Sequence, residues 1–189
     1  MKKVLLSAVA LMAFGIAAQA QDIKFGVKAG VNIADLSDNS AGSRVGFHVG
    51  GLAEFGITEQ FSIQPELLYS GQGAKVNEGF GDVDLKLDYI SLPVLAKYRI
   101  VKGFSVEAGP QVGFLISAKA EDEDVKDAYK SVDFGVTGGA EYELPMGVFF
   151  QARYYVGLSS VTEDIEVFGT SYSADTNNIM ISLSAGYRF

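Results

Sequence analysis

One histidine, His48, is the clearest candidate for chemistry in this chain of 189 residues. A histidine base activates a serine only when a further group orients the imidazole ring. Ser62 and Ser70 lie on the polar side of the next alternating segment, so a triad around His48 is one hypothesis, and it would make the protein a membrane-embedded lipid-modifying enzyme. We favour a hydrogen-bonding role for His48. If the alternating segments form a barrel whose interior is filled by polar side chains, a substrate would have poor access to this histidine.

Charged residues form the second candidate group, because they recur on one side of the alternating segments. Two interpretations fit them: an ion-pair network that fills the interior of a barrel, which we favour, or a narrow or gated ion path. Neither interpretation needs a catalytic residue or a cofactor. We therefore predict no catalytic residue and no cofactor. The predicted network consists of Glu54, Glu66, Lys97, Arg99, Glu107, Glu141, Glu143, Arg153 and Arg188.

The composition excludes several kinds of site. The chain has no cysteine, which excludes disulfides, thiolate metal sites and a lipid-modified cysteine. Its formal net charge of -8 argues against nucleic-acid binding, which needs a basic surface. The run Glu121-Asp122-Glu123-Asp124 could gather Ca²⁺, but it lacks the ligand spacing and central glycine of a calcium loop. We therefore predict a solvated loop and no metal site.

The first 20 residues have the pattern of a secretory signal peptide. Lys2 and Lys3 precede an apolar run, and Ala18-Gln19-Ala20 fits a small-x-small cleavage site. The apolar run of about 15 residues is shorter than the ~20 that a membrane-spanning helix needs. We predict that residues 1–20 are cleaved and that residues 21–189 form one β-barrel domain.

The elements that must position the charged residues and His48 are strands. Eight segments alternate between apolar and polar residues with period two, and the charges fall on the polar side. The connections alternate between short ones, at 58–60, 101–103 and 145–147, and long ones, at 34–43, 71–88, 119–130 and 160–176. This organisation predicts an all-β fold, an eight-stranded antiparallel up-and-down transmembrane β-barrel.

A soluble barrel that binds a small apolar ligand would share the same alternation. Glycines on the polar side, the alternating loop lengths and aromatic residues near the strand ends favour a membrane barrel with a polar lumen. A soluble barrel would have to bury residues such as Glu54 and Arg153 or expose its apolar faces, and either is costly. We expect the barrel to contact membrane lipids and not to bind nucleic acid.

Five segments carry a resemblance to a known family: Gly26-Val27-Lys28-Ala29-Gly30-Val31-Asn32, Gln64-Pro65-Glu66-Leu67-Leu68-Tyr69-Ser70, residues 89–98, residues 133–135 with 138–142, and Tyr187-Arg188-Phe189. They resemble the PorT-like family of outer-membrane β-barrels, porin-like proteins of the small OmpA and OmpX type. The resemblance implies the outer membrane of a Gram-negative bacterium. It also implies that Tyr187 and Phe189 form a carboxy-terminal signal for the barrel insertion machinery.

These observations predict a porin-like or structural outer-membrane protein with a polar, mostly filled lumen and four extracellular loops. The alternative is a protein that binds a partner through those loops, such as an adhesin or an accessory of a secretion complex.

Overall fold

Long antiparallel strands make up most of the chain. The computed structural model describes residues 22–37, 41–77, 82–120, 123–161, 165–167, 170–172 and 176–189. The predicted signal peptide therefore lies outside the described residues. The strands are β1 (Asp22–Leu36), β2 (Ala41–Gly56), β3 (Phe61–Asn77), β4 (Asp82–Val101), β5 (Phe104–Ala120), β6 (Glu123–Asp124), β7 (Val132–Glu143), β8 (Val148–Gly157), β9 (Ile165–Val167), β10 (Thr170–Tyr172) and β11 (Asn178–Arg188), with a 3₁₀ turn at Lys126–Ala128 between β6 and β7.

Eight of these strands close into a ring, which confirms the predicted fold. The order around the ring is β1, β2, β3, β4, β5, β7, β8 and β11, and β11 pairs antiparallel with β1. β6 pairs with the end of β5, while β9 and β10 form a separate hairpin. In the part of the chain that the structure describes, no helix is long and apolar enough to cross a membrane.

The apolar face of the ring points outward and the polar face points inward. Outward side chains such as Phe25, Val45 and Leu183 are exposed, whereas the inward Glu66 and Lys97 are buried. A soluble barrel has the opposite arrangement, so the prediction of a lipid-facing surface holds. Because side chains alternate along each strand, the register of each pair keeps this separation around the whole ring.

The three predicted short connections are tight turns at one end of the ring. Gly103 and Gly147, in the second and third turns, have φ values of 84° and 88°, which a residue with a Cβ rarely adopts. The other four connections lie at the opposite end, where those at 121–131 and 158–177 are long and those at 37–40 and 78–81 are short. The prediction of a long connection at 34–43 is therefore wrong, because β1 continues to Leu36 and β2 begins at Ala41. Both ends of the chain's described part, Asp22 and Phe189, are on the short-turn side, as an even strand number requires.

The prediction of a long loop at 71–88 is wrong, because β3 continues to Asn77 and β4 begins at Asp82. The alternation persists there with its sense inverted. Leu85, Leu87 and Tyr89 point inward, while Asp84 and Lys86 point outward and are partly exposed. That inversion is expected where a strand leaves lipid for water, since the solvent then favours polar residues outside and apolar residues inside.

An irregular register in β5 corrects a second expectation. The pairing with β4 advances one residue from Asp88 to Tyr89 but two residues on β5, from Ser117 to Leu115. The extra residue is a β-bulge, which reverses the side-chain sense beyond it. The regular alternation that starts at Phe104 would place Ala118 on the outward face, but the bulge turns it inward, where it is buried at 1% exposure.

Candidate functional site in the barrel lumen

Charged residues fill the lumen nearest the short turns. In this lower layer, Lys97 Nζ lies 2.5 Å from Glu141 Oε1 and 3.1 Å from Glu54 Oε2. Arg188 binds the same two carboxylates at 3.0 and 3.2 Å and also contacts Glu143. Each buried cation thus shares two carboxylates with the other, which links four strands of the ring.

A second group of charges, the middle layer, lies deeper in the lumen. Arg153 donates two hydrogen bonds to Glu66, at 2.8 and 2.6 Å, and its Nε donates to Glu107 Oε1 at 2.5 Å. Lys28 Nζ lies 2.8 Å from Glu66 Oε2. The two cations and two carboxylates balance, and the paired guanidinium fork is the strongest geometry for such contacts.

Lys28 was missed by the predicted network, and Arg99 does not join it. Lys28 alternates with Gly26 and Gly30 on the polar face of β1, so the period-two pattern could have identified it. Arg99 is exposed, and its Nη1 donates to the Glu59 carbonyl at 3.0 Å. The other eight predicted residues all belong to the lower or middle layer.

Arg99 instead lines a cavity at the short-turn mouth of the lumen. The cavity has a volume of about 230 Å³ and ends at Glu54 and Lys97, the near side of the lower layer. Ser62 and Ser105 add hydroxyl groups to its wall. The cavity therefore reaches inward from the short turns as far as the lower layer.

His48 is held in a polar cluster beside the middle layer. Its Nδ1–H donates to Asn32 Oδ1 at 2.8 Å, and its Nε2 accepts from the Ser184 hydroxyl at 2.8 Å. Asn32 Oδ1 is the acceptor because Nδ2 of the same amide donates to the Gly71 carbonyl. Gly30 pairs with both His48 and Ser184, and a Cβ there would lie 2.7 Å from the imidazole, so glycine lets the ring reach across β1.

Serine, histidine and asparagine in this order form the hydrogen-bond chain of a hydrolase, but substrate access is missing. The cavity beside His48 has a volume of about 20 Å³, enough for a water molecule and too small for a lipid. The serines suggested by the sequence bond elsewhere, Ser62 to Glu54 and Ser70 to Asn32. The geometry supports the hydrogen-bonding role of His48.

An apolar cluster, the apolar cap, lies in the lumen at the end with the long connections. Val125 and Tyr129, from the segment between β5 and β7, pack against it. Burial raises the pKa of the Tyr129 hydroxyl. An apolar constriction disfavours the passage of ions, because it offers few polar groups that could replace their hydration shell. The buried residues of the cap are Leu36, Ala74, Leu85, Leu87, Tyr89, Leu115, Ala118 and Val161.

The acidic run falls partly outside the described residues, which omit 121–122. Glu123 and Asp124 form β6, and the Asp124 carboxylate accepts from the Lys126 backbone N–H at 3.0 Å. Within the described ranges, no three His, Cys, Asp or Glu side chains form a group that could hold a metal ion.

The carboxy-terminal aromatics lie on the outer surface. Tyr187 and Phe189 are exposed, with ring centroids 6.3 Å apart. The Phe189 N–H donates to the Phe25 carbonyl at 2.9 Å, which fastens the chain end to β1 beside the short turns.

Comparison with known proteins agrees with this architecture. Residues 18–163 match the outer membrane protein β-barrel domain family. The chain belongs to this family. An outer-membrane barrel of this kind lies in the bacterial outer membrane among its lipids, with the short turns toward the periplasm and the long connections outside the cell. No curated protein matches the sequence.

Solved structures of outer-membrane barrels share the fold at low identity. Neisserial surface protein A has a TM-score of 0.58 at 17% identity, over 87% of this outer-membrane barrel and 97% of that chain. Ail, the attachment invasion locus protein of Yersinia pestis, has a TM-score of 0.53 at 13% identity, over 89% and 100%. Ail has also been crystallised with the heparin analogue sucrose octasulfate, with the same coverage.

Proposed function

We propose that this outer-membrane barrel is a sealed, structural member of the family, which anchors an extracellular β-extension instead of conducting solutes. The observation that carries the proposal is the closure of the lumen by successive layers of different chemistry. Lower and middle layers are ion-paired and buried, and the apolar cap lies beyond them. An ion would have to displace paired charges and then cross an apolar constriction.

Planar-bilayer recording tests this proposal. The refolded barrel, whose insertion is verified by heat-modifiable gel migration, is expected to give no conductance steps. Regular steps whose size changes in the variant Glu107→Gln would contradict the proposal, because Glu107 faces the lumen and such a change would assign the current to it. Val136→Ala, an outward substitution, is the matched control and should leave any current unchanged.

Loop-mediated binding is the second candidate, and the length of the outer strands favours it. β4 has 20 residues, about twice the 9–11 that a tilted transmembrane strand needs. Its outer part, residues 82–88, pairs with residues 71–77 of β3 and forms a sheet beyond the lipid, where a partner could dock. An adhesin or an accessory of a secretion complex would use such a surface.

The charge of the outer connections indicates which partners this surface would favour. The run Glu121-Asp122-Glu123-Asp124 would repel a polyanion, so sucrose octasulfate, bound by Ail, is expected not to bind here. A lysine-rich peptide is the better probe. Replacing residues 75–84 by a two-residue turn should abolish peptide binding if the extension is the site, whereas a barrel that still inserts and still binds would exclude it.

The proposal also includes the processing and assembly of the chain. Cleavage after Ala20 is expected to give a mature protein that starts at Gln21, which amino-terminal sequencing of the membrane fraction checks. Tyr187 and Phe189 are proposed as the signal for the insertion machinery, so Phe189→Ala should lower the amount of assembled barrel. The resemblance to the PorT-like group is supported by Gly26–Asn32 and remains part of this proposal.

A further inference from the structure

The recess at the short-turn mouth of the lumen continues into a wider cavity. The narrow part has a volume of about 230 Å³, and the wider part has a volume of about 860 Å³. The two parts are continuous, because Lys24, Lys97, Arg99 and Ser105 are among the residues that line both. One water molecule needs only ~15 Å³, so the recess has room for an organic ligand that enters from the periplasmic side.

Ser105 is a buried residue that lines this recess without a hydrogen-bond partner for its side chain. It is 5% exposed, and no described residue forms a hydrogen bond with its hydroxyl. Ser62, which also lines the narrow part, instead donates to Glu54 Oε1 at 3.0 Å. Buried hydroxyl groups are nearly always satisfied, so the Ser105 hydroxyl needs a polar partner inside the recess.

Arg99 lies directly opposite Ser105 in the pairing of β4 with β5. Directly opposite side chains share a face of the sheet, with Cβ atoms about 5 Å apart, so the guanidinium and the hydroxyl can contact one ligand. Arg99 Nη1 donates to the Glu59 carbonyl at 3.0 Å, which holds the guanidinium beside the turn. Its other guanidinium N–H groups make no hydrogen bond or ion pair within the part of the chain that the structure describes. A planar cation with unused donors is well suited to a carboxylate.

The other charges that line the recess also favour an anion. Lys24 and Lys102 add positive charge to its walls. Two of the lining carboxylates, Glu54 and Glu143, are already ion-paired in the lower layer. A third, Glu59, is exposed at the rim. Glu59 is therefore the main charge that opposes an incoming anion.

We propose that the recess binds the carboxy-terminal carboxylate of a periplasmic peptide, with Arg99 and Ser105 as the direct contacts. A guanidinium binds a carboxylate through two parallel N–H bonds, and the hydroxyl donates a further bond to the same group. Leu144 and Pro145 line the wider part, where they can pack against an apolar side chain. A peptide end fits this combination because it joins one carboxylate to side chains of that kind.

This site is independent of conduction and of binding at the long connections. The narrow part of the recess ends at the lower layer, so the ligand stays on the periplasmic side of the paired charges. Arg99 and Ser105 belong to neither charged layer, so their substitution leaves the ion-pair network intact. Failure of this proposal would therefore leave the proposed function of the barrel unchanged, and a conducting barrel would leave this site unchanged.

The test measures the fluorescence anisotropy of a peptide that is labelled at its amino terminus and consists of two alanines followed by leucine. It is titrated with the refolded barrel in a non-ionic detergent. We expect saturable binding of the peptide with a free carboxylate and at least tenfold weaker binding of its carboxy-terminal amide. Arg99→Gln should weaken binding of the carboxylate about tenfold or more, and Ser105→Ala should weaken it about 2- to 10-fold.

Two further variants separate the site from a general effect of charge. Arg44→Gln makes the same chemical change as Arg99→Gln on β2 at the opposite end of the barrel, and it should bind the peptide like wild type. Glu59→Gln removes a negative charge from the rim and should tighten binding. Heat-modifiable gel migration verifies that each variant is folded. If Ser105→Ala does not fold, the comparison of Arg99→Gln with Arg44→Gln still decides.

Four outcomes would overturn the proposal. The first is equal binding of the carboxylate and amide peptides, which would assign the binding to apolar contacts. The second is binding by Arg99→Gln that equals that of wild type. The third is a wild type that binds no peptide, which would mean that water satisfies the Ser105 hydroxyl. The fourth is displacement of the peptide by inorganic phosphate at a lower concentration than by acetate, because the site would then prefer phosphate groups.

Discussion

Removing Arg153 tests whether charge balance holds the middle layer together. With Lys28, Glu66 and Glu107, Arg153 forms a neutral, buried group of two cations and two carboxylates. Arg153→Met keeps much of the apolar stem but leaves Glu107 without a cation and the layer with one excess negative charge. Breaking a buried pair in this way costs about 3–5 kcal/mol in the free energy of unfolding.

A second substitution should restore part of that loss. Glu107→Gln alone removes one charged contact of Arg153 and costs about 1–3 kcal/mol. In the Arg153→Met background the same change removes the excess charge instead. We therefore expect the double variant to be more stable than Arg153→Met, with a coupling energy of about 0.5–3 kcal/mol.

Urea titration of the refolded barrel, with the folded fraction read from heat-modifiable gel migration, measures the cycle. Glu123→Gln in the Arg153→Met background is the matched control. It neutralises an exposed carboxylate of β6 and should give no rescue. If the two losses of Arg153→Met and Glu107→Gln simply add, the layer is not held by charge balance and the reasoning is wrong.

Three further predictions test the outward face, the cap and the absence of hydrolase chemistry. Val136→Arg, on the outward face of β7, should destabilise the barrel by ~2–4 kcal/mol in lipid vesicles, and a near-neutral effect would contradict its lipid-facing assignment. Leu87→Ala leaves a cavity in the apolar cap and should cost ~2–5 kcal/mol in urea titration, whereas Leu183→Ala on the lipid side should cost less. A fluorophosphonate probe should not label Ser184 in the folded barrel, and labelling that disappears in His48→Ala would revive an enzymatic function.

The ring was predictable because lipid and lumen impose one rule on most of the chain. From Phe25 to Ile33, each outward position must be apolar and each inward position must be polar or small, so the sequence carries the fold in its period. The same rule gave a wrong prediction for residues 71–88. Leu85, Leu87 and Tyr89 lie on the inward face of a water-exposed strand. There the alternation has the opposite sense to that in the lipid, so the segment is predicted to be a loop.

The partners of the site residues were less predictable than their faces. His48 could be assigned to the lumen from its period, but its partner Ser184 lies on the last strand, which neighbours β1 only because the ring closes. The reach across β1 depends further on the absence of a side chain at Gly30. Contacts of this kind depend on the closure of the ring and on the register between strands. The pattern within one strand predicts neither of these.

The inversion of alternation on β4 also measures where the membrane ends. The outward residues are apolar from Ile90 to Ile100 and charged from Asp84 to Asp88. The ten steps from Ile90 to Ile100, at ~3.3 Å each on a strand tilted by ~40°, span about 25 Å along the membrane normal, which is the height of the apolar band of such barrels. The outer boundary therefore lies between Asp88 and Ile90. Tyr89, which points inward at that level, is part of the apolar cap, so the cap begins where the strand leaves the lipid.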